Sequence, residues 1–472
     1  MSISQLIIEA KALLGDNAVI TDAEHMAHYT TSMRHRNINP APMVALPNST
    51  EQVAQLVKLC RKHKIACVPQ GGNTGLVDGG LPTEGGEEIV INLSRMNKIR
   101  DIDEIGMIAT VESGVILQNL RETVAAQGLM FSLSIASEGS AEIGGLISTN
   151  AGGLAALRYG TMRNLVLGIE AVLPNGEIIS NLKSLAKDNT GYHLSSCFIG
   201  AEGTLGIVTA ATLRLLPAVQ QKVTAVVAVA DIPAAMNLLS IFRREAVEHL
   251  SAFEFMSMEA IRLLVKNVKG ARIPGDINLA PYYLLIELSA SSGSMPIRAV
   301  LETTIASAID NGQAIDAVIA ESEAQAAQFW HAREHIPEAL RVEKQRLHFD
   351  IAVPVKSLAE FMAAMETTIK ALYPNVVLMP FGHIGDGNVH YNMYFQPVLD
   401  EAKFAEAKQR IQHMVFSEVD RRQGSISAEH GVGVERKAIM AKLKPPVELN
   451  LMRAIKCAFD PDKLMNPGKI FD

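Results

Sequence analysis

The chain has 472 residues, of which 48% are hydrophobic and 20% charged, so it can bury a large core and wholesale disorder is excluded. At about 150 residues per domain, this length predicts two or three domains. Forty-three basic residues against 50 acidic ones give a net charge of −7, which argues against a nucleic-acid or anionic-membrane surface. Aromatic residues are only 5%, with a single tryptophan, so base-stacking platforms are not expected.

The cysteines and the apolar stretches indicate a cytoplasmic location. The N-terminus has no basic region ahead of an apolar run, and the most apolar stretch, 225–230, is far shorter than the ~20 residues that span a bilayer. We therefore expect no transmembrane segment. The cysteines are scattered and form no Cys-x-x-Cys pair, which favours reduced, buried thiols. They are Cys60, Cys67, Cys197 and Cys457.

Strands and helices alternate from Met43 onward. Ser49 is a candidate helix cap, with Glu51 and Gln52 in the first turn of a helix that continues to Cys60. Short apolar runs that end in turn residues predict strands in this half. They lie at 44–46, 65–69, 88–93, 107–112 and 168–173.

A second organisation begins after Pro217, where we place the domain boundary, giving domains of 1–217 and 218–472. Strands and single helices alternate here as well, which predicts an α+β sheet with helices on one face and a duplicated βαβ unit. The predicted strands are 223–230, 282–289 and 349–354, and the predicted helices start after Asp231 and cover 295–308 and 358–372.

Glycines cluster in three loops of the first half, at 71–75, 139–153 and 200–206. A backbone without Cβ atoms can approach a pyrophosphate closely, so three such loops predict a large phosphate-bearing cofactor. Neither the nicotinamide fingerprint nor the P-loop spacing is present. The cofactor is therefore expected to bind in another way.

These loops resemble the FAD-binding domain of the vanillyl-alcohol oxidase and p-cresol methylhydroxylase (PCMH) flavoproteins. The resemblance rests on Pro69-Gln-Gly-Gly-Asn-Thr-Gly75, on Glu138-Gly-Ser140 with Ile143-Gly-Gly145 and Thr149-Asn-Ala-Gly-Gly153, and on Ile199 to Thr209. It implies a PCMH-type FAD-binding core over about 38–217. Because no histidine lies between His63 and His193, we expect the FAD to be bound non-covalently.

The resemblance implies that all three loops and the C-terminal Met-Asn-Pro-Gly-Lys segment contact FAD. The expected cofactor residues are Pro69, Gly71, Gly72, Asn73, Thr74, Gly75, Glu138, Gly139, Ser140, Gly144, Gly145, Thr149, Asn150, Gly152, Gly153, Glu202, Gly203, Gly206, Ile207, Val208 and Asn466. It further implies that the second domain is an α+β substrate cap with an antiparallel sheet, whose C-terminal segment returns to the FAD.

The second half carries a group of potential metal ligands. On a strand through 389–393, His390 and Asn392 would share one face, and His383 would reach them over a glycine loop. With Glu429 these histidines form a two-nitrogen, one-oxygen set typical of an open catalytic zinc or similar divalent site. The alternative is that His383 and His390 are hydrogen-bonded core residues.

This half resembles the FAD-dependent D-2-hydroxyacid dehydrogenases, most closely those that act on D-2-hydroxyglutarate, through Arg333-Glu334, Gly382 to Asn392 and Ala428 to Gly431. The 187–192 segment, Lys-Asp-Asn-Thr-Gly-Tyr, is also typical of that group. The implied metal ligands, for Zn²⁺ or Mn²⁺, are His383, His390 and Glu429. The implied catalytic base is His430, and the implied substrate contacts are Arg333 and Asn392.

Two positions depart from the dehydrogenase pattern at expected substrate contacts. Pro337 stands where these enzymes usually have a threonine, and His348 stands where they usually have a lysine. Proline has no hydroxyl to donate, and a neutral imidazole binds a carboxylate less well than an ammonium. His348 is nevertheless a substrate-binding candidate.

We expect an enzyme that oxidises a D-2-hydroxy acid to the 2-oxo acid by hydride transfer to FAD. D-2-Hydroxyglutarate is the leading substrate, and D-lactate or glycolate-type acids are the alternative. Two rival functions are a metal-free flavin oxidase of a sugar or aromatic alcohol and a non-catalytic flavin-binding protein. The electron acceptor, for which an electron-transfer flavoprotein or a quinone are candidates, and the oligomeric state, including a homodimer, stay open.

Overall fold

A computed structural model of the protein describes residues 3–34, 38–185, 187–272 and 280–471. The chain divides into two compact units. The first unit comprises Met1–Gly153, Tyr159–Ala218 and Glu429–Asp472, and the second comprises Leu154–Arg158 and Val219–Ala428. The first unit is therefore discontinuous in sequence, since its last segment follows most of the second unit.

The first unit begins with a small sheet in the order β1-β2-β4-β3, in which β2, β3 and β4 are parallel and β1 is antiparallel. Helices α1 and α3 pack together and bury Leu6 and Val53 in one core with Ile91 of β4. The elements are α1 (Ile3–Leu14), β1 (Val19–Ile20), α2 (Ala23–Thr30), β2 (Val44–Ala45), α3 (Thr50–His63), β3 (Cys67–Gln70) and β4 (Ile89–Asn92).

Helix α3 begins and ends where its sequence predicts. The Ser49 hydroxyl accepts a hydrogen bond from the Gln52 N–H at 3.2 Å, which satisfies one of the free amides of the first turn. The helix stops at Lys64, whose φ of 55° is left-handed. The predicted helix is thus confirmed.

A five-stranded antiparallel sheet, β5-β6-β10-β8-β9, follows in the first unit, and β7 pairs with β11 beside it. The elements in this stretch of the chain are β5 (Ile99–Asp103), β6 (Ile108–Glu112), α4 (Leu117–Ala125), β7 (Leu129–Met130), α5 (Ile143–Ser148), α6 (Ala156–Tyr159), α7 (Met162–Leu165), β8 (Val166–Val172), β9 (Ile178–Asn181), α8 (Ser195–Phe198), β10 (Ile207–Arg214) and β11 (Leu216–Pro217). All but the first three residues of α6 belong to the first unit.

The second unit is built on a seven-stranded antiparallel sheet, β15-β12-β14-β13-β19-β20-β17, with a three-stranded sheet, β16-β21-β18, beside it. Its elements are β12 (Gln221–Val229), α9 (Ile232–Glu245), β13 (Leu250–Ser257), α10 (Met258–Asn267), β14 (Tyr282–Ala290), α11 (Ile297–Asp310), β15 (Asp316–Ile319), α12 (Glu323–Glu334), α13 (Ile336–Arg341), β16 (Arg346–Leu347), β17 (Asp350–Ala352), α14 (Leu358–Leu372), β18 (Val376–Leu378), β19 (Phe381–His383), β20 (Asn388–His390), β21 (Met393–Phe395) and α15 (Glu401–Arg421).

The duplicated βαβ unit predicted for this half is present in its split form. Strands β12 and β13 both run antiparallel to β14, which lies between them, and β14 and β15 are separated by β12 in the same way. Two split βαβ units therefore interleave in one antiparallel sheet. This confirms the α+β sheet predicted for the cap.

The expectation of helices on one face is wrong, because the sheet is covered on both. Phe253 of β13 contacts Phe242 of α9, whereas Met256, three residues further along the same strand, joins the core formed by α10, α12 and α13. Side chains three apart in a strand point to opposite faces. All eight residues of β13 are buried, as in a strand enclosed on both sides.

The strand expected through 389–393 is also interrupted. Strand β20 ends at His390, and the chain enters the three-stranded sheet at Met393. His390 pairs with Asp350 and Phe381 in the larger sheet, while Met393 pairs with Leu347 in the smaller one. The Tyr391–Asn392 pair is therefore the crossing between two sheets, so alternation along one strand does not place His390 and Asn392.

The C-terminal segment of the first unit contains α16 (Lys437–Leu443) and α17 (Pro446–Phe459) and then returns to the parallel sheet. The Cys67 N–H donates to the Leu464 carbonyl at 2.9 Å, and the Asn466 N–H donates to the Cys67 carbonyl at 2.8 Å. These bonds extend β3 by one parallel bridge between Cys67 and Met465. The last residues of the chain thus occupy the open edge of β3.

The prediction that the cysteines are buried is confirmed only in part. Cys60 and Cys67 are buried thiols as predicted, but Cys457 is exposed on α17, so the prediction of buried cysteines is wrong there. No helix among the described residues is both long enough and apolar enough to cross a bilayer.

The buried Asp460 carboxylate holds the C-terminal return in place, so replacing Asp460 with alanine should destabilise the first unit. It accepts the Leu464 and Met465 N–H groups at 3.1 and 2.9 Å and an ion pair from Lys456. Removing the Asp460 carboxylate leaves the largely buried Lys456 ammonium without its ion-pair partner. Such a loss typically lowers the free energy of unfolding by about 3–5 kcal/mol. Urea unfolding followed by circular dichroism measures the change.

The matched control is Asp462→Ala, two residues away. Its half-exposed carboxylate pairs with Arg61 at 2.8 Å on the surface, and such a pair contributes about 0–1 kcal/mol. Equal losses of unfolding free energy in the two variants would contradict the role given to Asp460.

Candidate active site

The first glycine loop leaves β3 and is fixed by side-chain amides. Gln70 donates through Nε2 to the carbonyls of Tyr29 and Gly80 at 2.7 and 2.8 Å. Asn92 donates through Nδ2 to the Gly71 carbonyl at 2.9 Å. These bonds hold the loop backbone in one conformation, as a preorganised binding loop requires.

The first and second loops touch backbone to backbone. A Cβ atom on Gly72 would lie 1.9 Å from the Ser140 carbonyl oxygen, so only glycine fits at this position. A Cβ atom on Gly153 would likewise lie 2.1 Å from the Ser134 carbonyl oxygen. The glycines therefore allow the loops to pack against neighbouring backbone.

The second loop is organised around Asn150, whose φ of 51° is left-handed. Its Oδ1 accepts hydrogen bonds from the Thr161 hydroxyl at 3.0 Å and the Arg163 N–H at 2.9 Å. Arg163 also donates to the Ile199 carbonyl at 2.8 Å, at the start of the third loop. Arg163 therefore ties the second and third loops together.

The third loop is held by the buried Glu202 carboxylate. One oxygen accepts the Val432 N–H and the other accepts the Gly433 N–H, both at 2.7 Å. Burial raises the pKa of Glu202, while the two amides and the charges of Arg436 and Lys469 oppose that rise. Its carboxylate thus clamps the chain just after His430 to the third loop.

Asn466 connects the C-terminal segment to the same region. Its Nδ2 donates to the Gly79 carbonyl at 3.0 Å and to the Glu202 carbonyl at 2.7 Å. The Asn466 Oδ1 and the Lys469 Nζ are buried and have no hydrogen-bond partner among the described residues. Burial lowers the pKa of Lys469 to about 8.

These features fit a large, polar, anionic cofactor such as FAD. Close-packed glycine backbones offer amides, and the unpartnered atoms of Asn466 and Lys469 offer an acceptor and a cationic donor. Buried polar groups ordinarily have partners, so these orphaned atoms are those that a bound ligand satisfies.

The remaining predicted cofactor residues lie in the same unit. Glu138 pairs with Arg121, Pro69 lies against Gly203, and the Thr149 hydroxyl donates to the Gly145 carbonyl at 3.0 Å. Ile207 and Val208 lie in β10. The others lie in the three glycine-rich segments and are Asn73, Thr74, Gly75, Gly139, Gly144, Gly152 and Gly206. Their contacts with the cofactor stay predictions.

In the second unit, a buried carboxylate, Glu254 of β13, brings two predicted site residues together. Arg333 lies 2.9 Å (Nε) and 2.7 Å (Nη2) from Glu254 Oε2, and His383 Nδ1 lies 2.7 Å from Oε1. Burial acts to raise the pKa of Glu254, but the charges of His383 and Arg333 outweigh it and hold this pKa below its usual value. The group is an ionised bridge between a guanidinium and an imidazole.

The contact between His383 Nδ1 and Glu254 fixes the orientation of the imidazole ring. Carboxylates commonly orient metal-ligating histidines in this way. The His383 and His390 ring centroids are 5.6 Å apart, with the rings nearly perpendicular. Two of the three predicted metal ligands are therefore neighbours within one unit.

The His390 ring lies near an aromatic ring and a carboxylate of neighbouring strands. Its ring lies 4.9 Å from the Phe381 ring, and its Nδ1 lies 3.9 Å from Asp350 Oδ1. Burial lowers the pKa of His390 well below its ordinary value, with Asp350 opposing the shift. The ring is thus neutral and can offer a lone pair, as a metal ligand must.

The predicted substrate residues His348 and Asn392 contact each other. His348 Nδ1 lies 2.5 Å from Asn392 Oδ1, which leaves the buried Asn392 Nδ2 with no hydrogen-bond partner among the described residues. The His348 ring stacks 6.0 Å from the His390 ring. Pro337, by contrast, is exposed in the first turn of α13, where a proline suits the helix start.

The last two predicted residues, Glu429 and His430, lie in the segment that belongs to the first unit. The metal, the ligand set and the base stay predictions.

Sequence reasoning missed Glu254 and Asp350. Glu254 is the single charged residue in the fully buried strand β13, and such a residue needs a buried partner. Asp350 is fully buried, and its Oδ1 accepts the Asn388 amide at 3.0 Å. A lone acidic residue in an apolar run was the signal for both.

Models of known families match both halves of the chain. The model of the C-terminal domain of FAD linked oxidases matches residues 218–470, more than half of the chain, and that of the FAD binding domain matches residues 41–181. The chain belongs to the FAD-linked oxidase family. FAD as the cofactor and an oxidoreductase activity follow, and both agree with the sequence prediction.

Curated relatives cover nearly the whole chain of this FAD-linked oxidase. It is 36% identical over 460 residues to the mitochondrial D-2-hydroxyglutarate dehydrogenase of Arabidopsis thaliana, which spans 98% of this chain and 80% of the relative. It is 35% identical to the D-2-hydroxyglutarate dehydrogenase of Stutzerimonas stutzeri, over 99% of this chain and 98% of the relative. The resemblance to D-2-hydroxyacid dehydrogenases is confirmed.

Among solved structures, p-cresol methylhydroxylase with substrate bound aligns with a TM-score of 0.77 at 17% identity. The alignment covers 99% of this chain and 97% of the other. This likeness confirms the predicted PCMH-type fold.

Gly72→Ala should abolish FAD binding while the rest of the first unit stays folded. The added Cβ would lie 1.9 Å from the Ser140 carbonyl, so the first and second loops must move apart. We expect the purified variant to be colourless, and its flavin absorbance per protein measures the loss.

The control is Gly85→Ala, which gives the new Cβ only an ordinary contact of 3.8 Å with the Thr83 hydroxyl. This variant should keep its flavin. A yellow Gly72→Ala protein would show that the two loops tolerate separation.

Proposed function

We propose that this FAD-linked oxidase oxidises the C2 hydroxyl of D-2-hydroxyglutarate to the 2-oxo acid, with a divalent ion and a histidine base. The observation that carries the proposal is the buried network in which Glu254 joins Arg333, the proposed carboxylate-binding group, to His383, a proposed metal ligand. The names of the relatives support this substrate, and D-lactate is the alternative.

Arg333 is proposed to hold a substrate carboxylate. Glu254 takes the donors on one edge of the guanidinium, and the Phe381 ring lies 4.7 Å from its central carbon. The guanidinium is therefore fixed in position, with donors on its other edge able to form a bidentate pair. An arginine that is already oriented loses little entropy when the acid binds.

When bound, FAD would accept a hydride, and a Zn²⁺ or Mn²⁺ ion held by His383, His390 and Glu429 would supply positive charge that stabilises the substrate oxygen. The chain's own part is to orient the ligands. Glu254 fixes the orientation of the His383 ring through Nδ1, and burial keeps His390 neutral. Glu429 follows directly after Ala428, whose N–H lies 3.4 Å from the Asp350 carbonyl.

Asn392 and His348 are proposed to contact the other end of the substrate. The Asn392 Nδ2 is a buried donor without a partner among the described residues, which a second carboxylate would satisfy. His348 donates through Nδ1 to Asn392 and so fixes the direction in which the amide points. A second carboxylate favours D-2-hydroxyglutarate over D-lactate.

His430 is proposed to remove the hydroxyl proton as the C2 hydride leaves. Its chain position is fixed by Glu202, which binds the amides of Val432 and Gly433. The electrons are then proposed to pass to an electron-transfer flavoprotein or a quinone. A cytoplasmic location is kept as part of the proposal.

The substrate is tested by adding D-hydroxy acids to the oxidised protein without oxygen and following flavin absorbance. We expect D-2-hydroxyglutarate to bleach the flavin fastest, with D-lactate slower by about ten- to a hundredfold, because it lacks the second carboxylate and one charge-assisted hydrogen bond. L-2-Hydroxyglutarate controls for the stereochemistry.

Two outcomes would redirect the proposal. Faster bleaching by D-lactate makes the short acid the substrate, since the second carboxylate then has no favourable contact. Bleaching by an aromatic alcohol or a sugar, with no response to D-hydroxy acids, would overturn the dehydrogenase proposal.

Two variants distinguish the proposed metal ligand from the proposed base. His383→Ala should lose the bound ion and turnover together, whereas His430→Ala should keep ion and FAD but reduce the flavin about 10²–10⁴-fold more slowly, the usual contribution of an acid–base group. Metal analysis and single-turnover absorbance measure both.

His413→Ala, on helix α15, serves as the histidine control and should match the wild type. An active wild-type preparation without metal would contradict the metal proposal. If His430→Ala loses the ion instead, His430 is a ligand and the base lies elsewhere.

A further inference from the structure

Glu142 is a buried carboxyl group to which neither the fold nor the proposed reaction gives a task. It lies directly before α5 in the second glycine loop, and 6% of its surface is exposed. Its side chain makes no capping bond to α5, and its Oε2 has no hydrogen-bond partner among the described residues. Because burial of an unpaired polar group is costly, a bound ligand is the simplest source of the missing partner.

The position of this oxygen links it to the cofactor loops. A Cβ atom built on Gly71 would lie 3.3 Å from Glu142 Oε2 and 3.6 Å from the Gly145 amide nitrogen. Gly71 belongs to the first loop and Gly145 to the second. The carboxyl group therefore lies where two of the loops that are expected to bind FAD come together, beside the first loop, which the resemblance implies holds the pyrophosphate.

The groups around Glu142 do not neutralise it. The first loop presents the Gly71 backbone, the first turn of α5 presents the Gly145 amide, and the Ile116 backbone forms a bridge to Glu142. Burial raises the pKa of Glu142 to about 8, and no charged side chain contributes to that shift. At neutral pH the group is therefore a neutral acid, with a proton to donate.

We propose that Glu142 is a cofactor-binding residue that donates a hydrogen bond from its protonated carboxyl group to the diphosphate of FAD. An ionised carboxylate at this point would repel the diphosphate, while the neutral acid adds a donor to the cradle of backbone amides. The inference deepens the proposed function, since it rests on FAD occupying these loops.

The proposal predicts the direction of a pH effect. A carboxyl with a raised pKa keeps its proton up to that pKa, and binding of an anion favours the protonated form further. FAD retention should therefore be full at neutral pH and fall as the pH rises above about 8. If only the protonated form binds, the apparent affinity drops about tenfold for each further pH unit.

The experiment dilutes the yellow protein into buffers between about pH 6.5 and 9.5 and measures released FAD by its fluorescence. The wild type should lose affinity above pH 8. Glu142→Gln has a neutral side chain that can donate a hydrogen bond at every pH. For each pH unit above 8, its loss of FAD affinity should therefore be about tenfold smaller than that of the wild type. Glu122→Gln, on the exposed face of α4, is the charge-matched control and should follow the wild type.

Lys469 would titrate in the same range, since burial lowers its pKa to about 8. Glu142→Gln leaves Lys469 intact, so any pH dependence that persists in this variant belongs to groups elsewhere in the site. The difference between the wild-type and Glu142→Gln profiles is the contribution of Glu142 alone.

A third variant keeps the inference testable if the glutamine disturbs the loop. Glu142→Leu has no donor and should bind FAD more weakly at pH 6.5, by about tenfold, the effect of one hydrogen bond to a charged group. Equal retention in Glu142→Leu and wild type, or parallel profiles in wild type and Glu142→Gln, would overturn the inference. A wild-type protein without flavin at any pH overturns the proposed function instead.

Discussion

The arrangement of the polar residues in the second unit depends on one buried carboxylate, Glu254. It pairs with a guanidinium from α12 and an imidazole from β19, and without it the guanidinium cation would be buried without a counter-charge. A buried ion pair is stable only when its geometry is good and its remaining atoms are bonded, which holds here on both oxygens. One residue therefore sets both the direction of Arg333 and the tautomer of His383.

The first unit uses buried carboxylates in a different way. Glu202 binds backbone amides with both oxygens and so joins the third glycine loop to the residues after His430. Asp460 does the same for the C-terminal return. Glu142 contrasts with both, because its Oε2 has no internal partner among the described residues. Carboxylates that have a structural task are satisfied within the chain, and the unsatisfied one lies at the cofactor loops.

The sequence predicted the parts of the fold that are encoded locally. Ser49 caps a helix as expected, a helix begins after Asp231 as predicted, and the three glycine loops lie in one unit. Local patterns did not predict the crossing between sheets at Tyr391–Asn392 or the burial of both faces of β13. Glu254 and Arg333 are 79 residues apart, so their pairing depends on the tertiary fold. The sequence therefore predicted Arg333 and His383 as site residues but not Glu254, the carboxylate that joins them.

The return of the last residues to strand β3 has a consequence for biosynthesis. A ribosome delivers residues 1–218 first, yet the edge of β3 gains its partner only when Leu464 and Asn466 have been made. The body of the second unit, continuous from Val219 to Ala428, is complete before that point and can fold as it emerges. The cofactor-binding unit is thus finished last, and until then the unpaired edge of β3 is open to pairing with other chains.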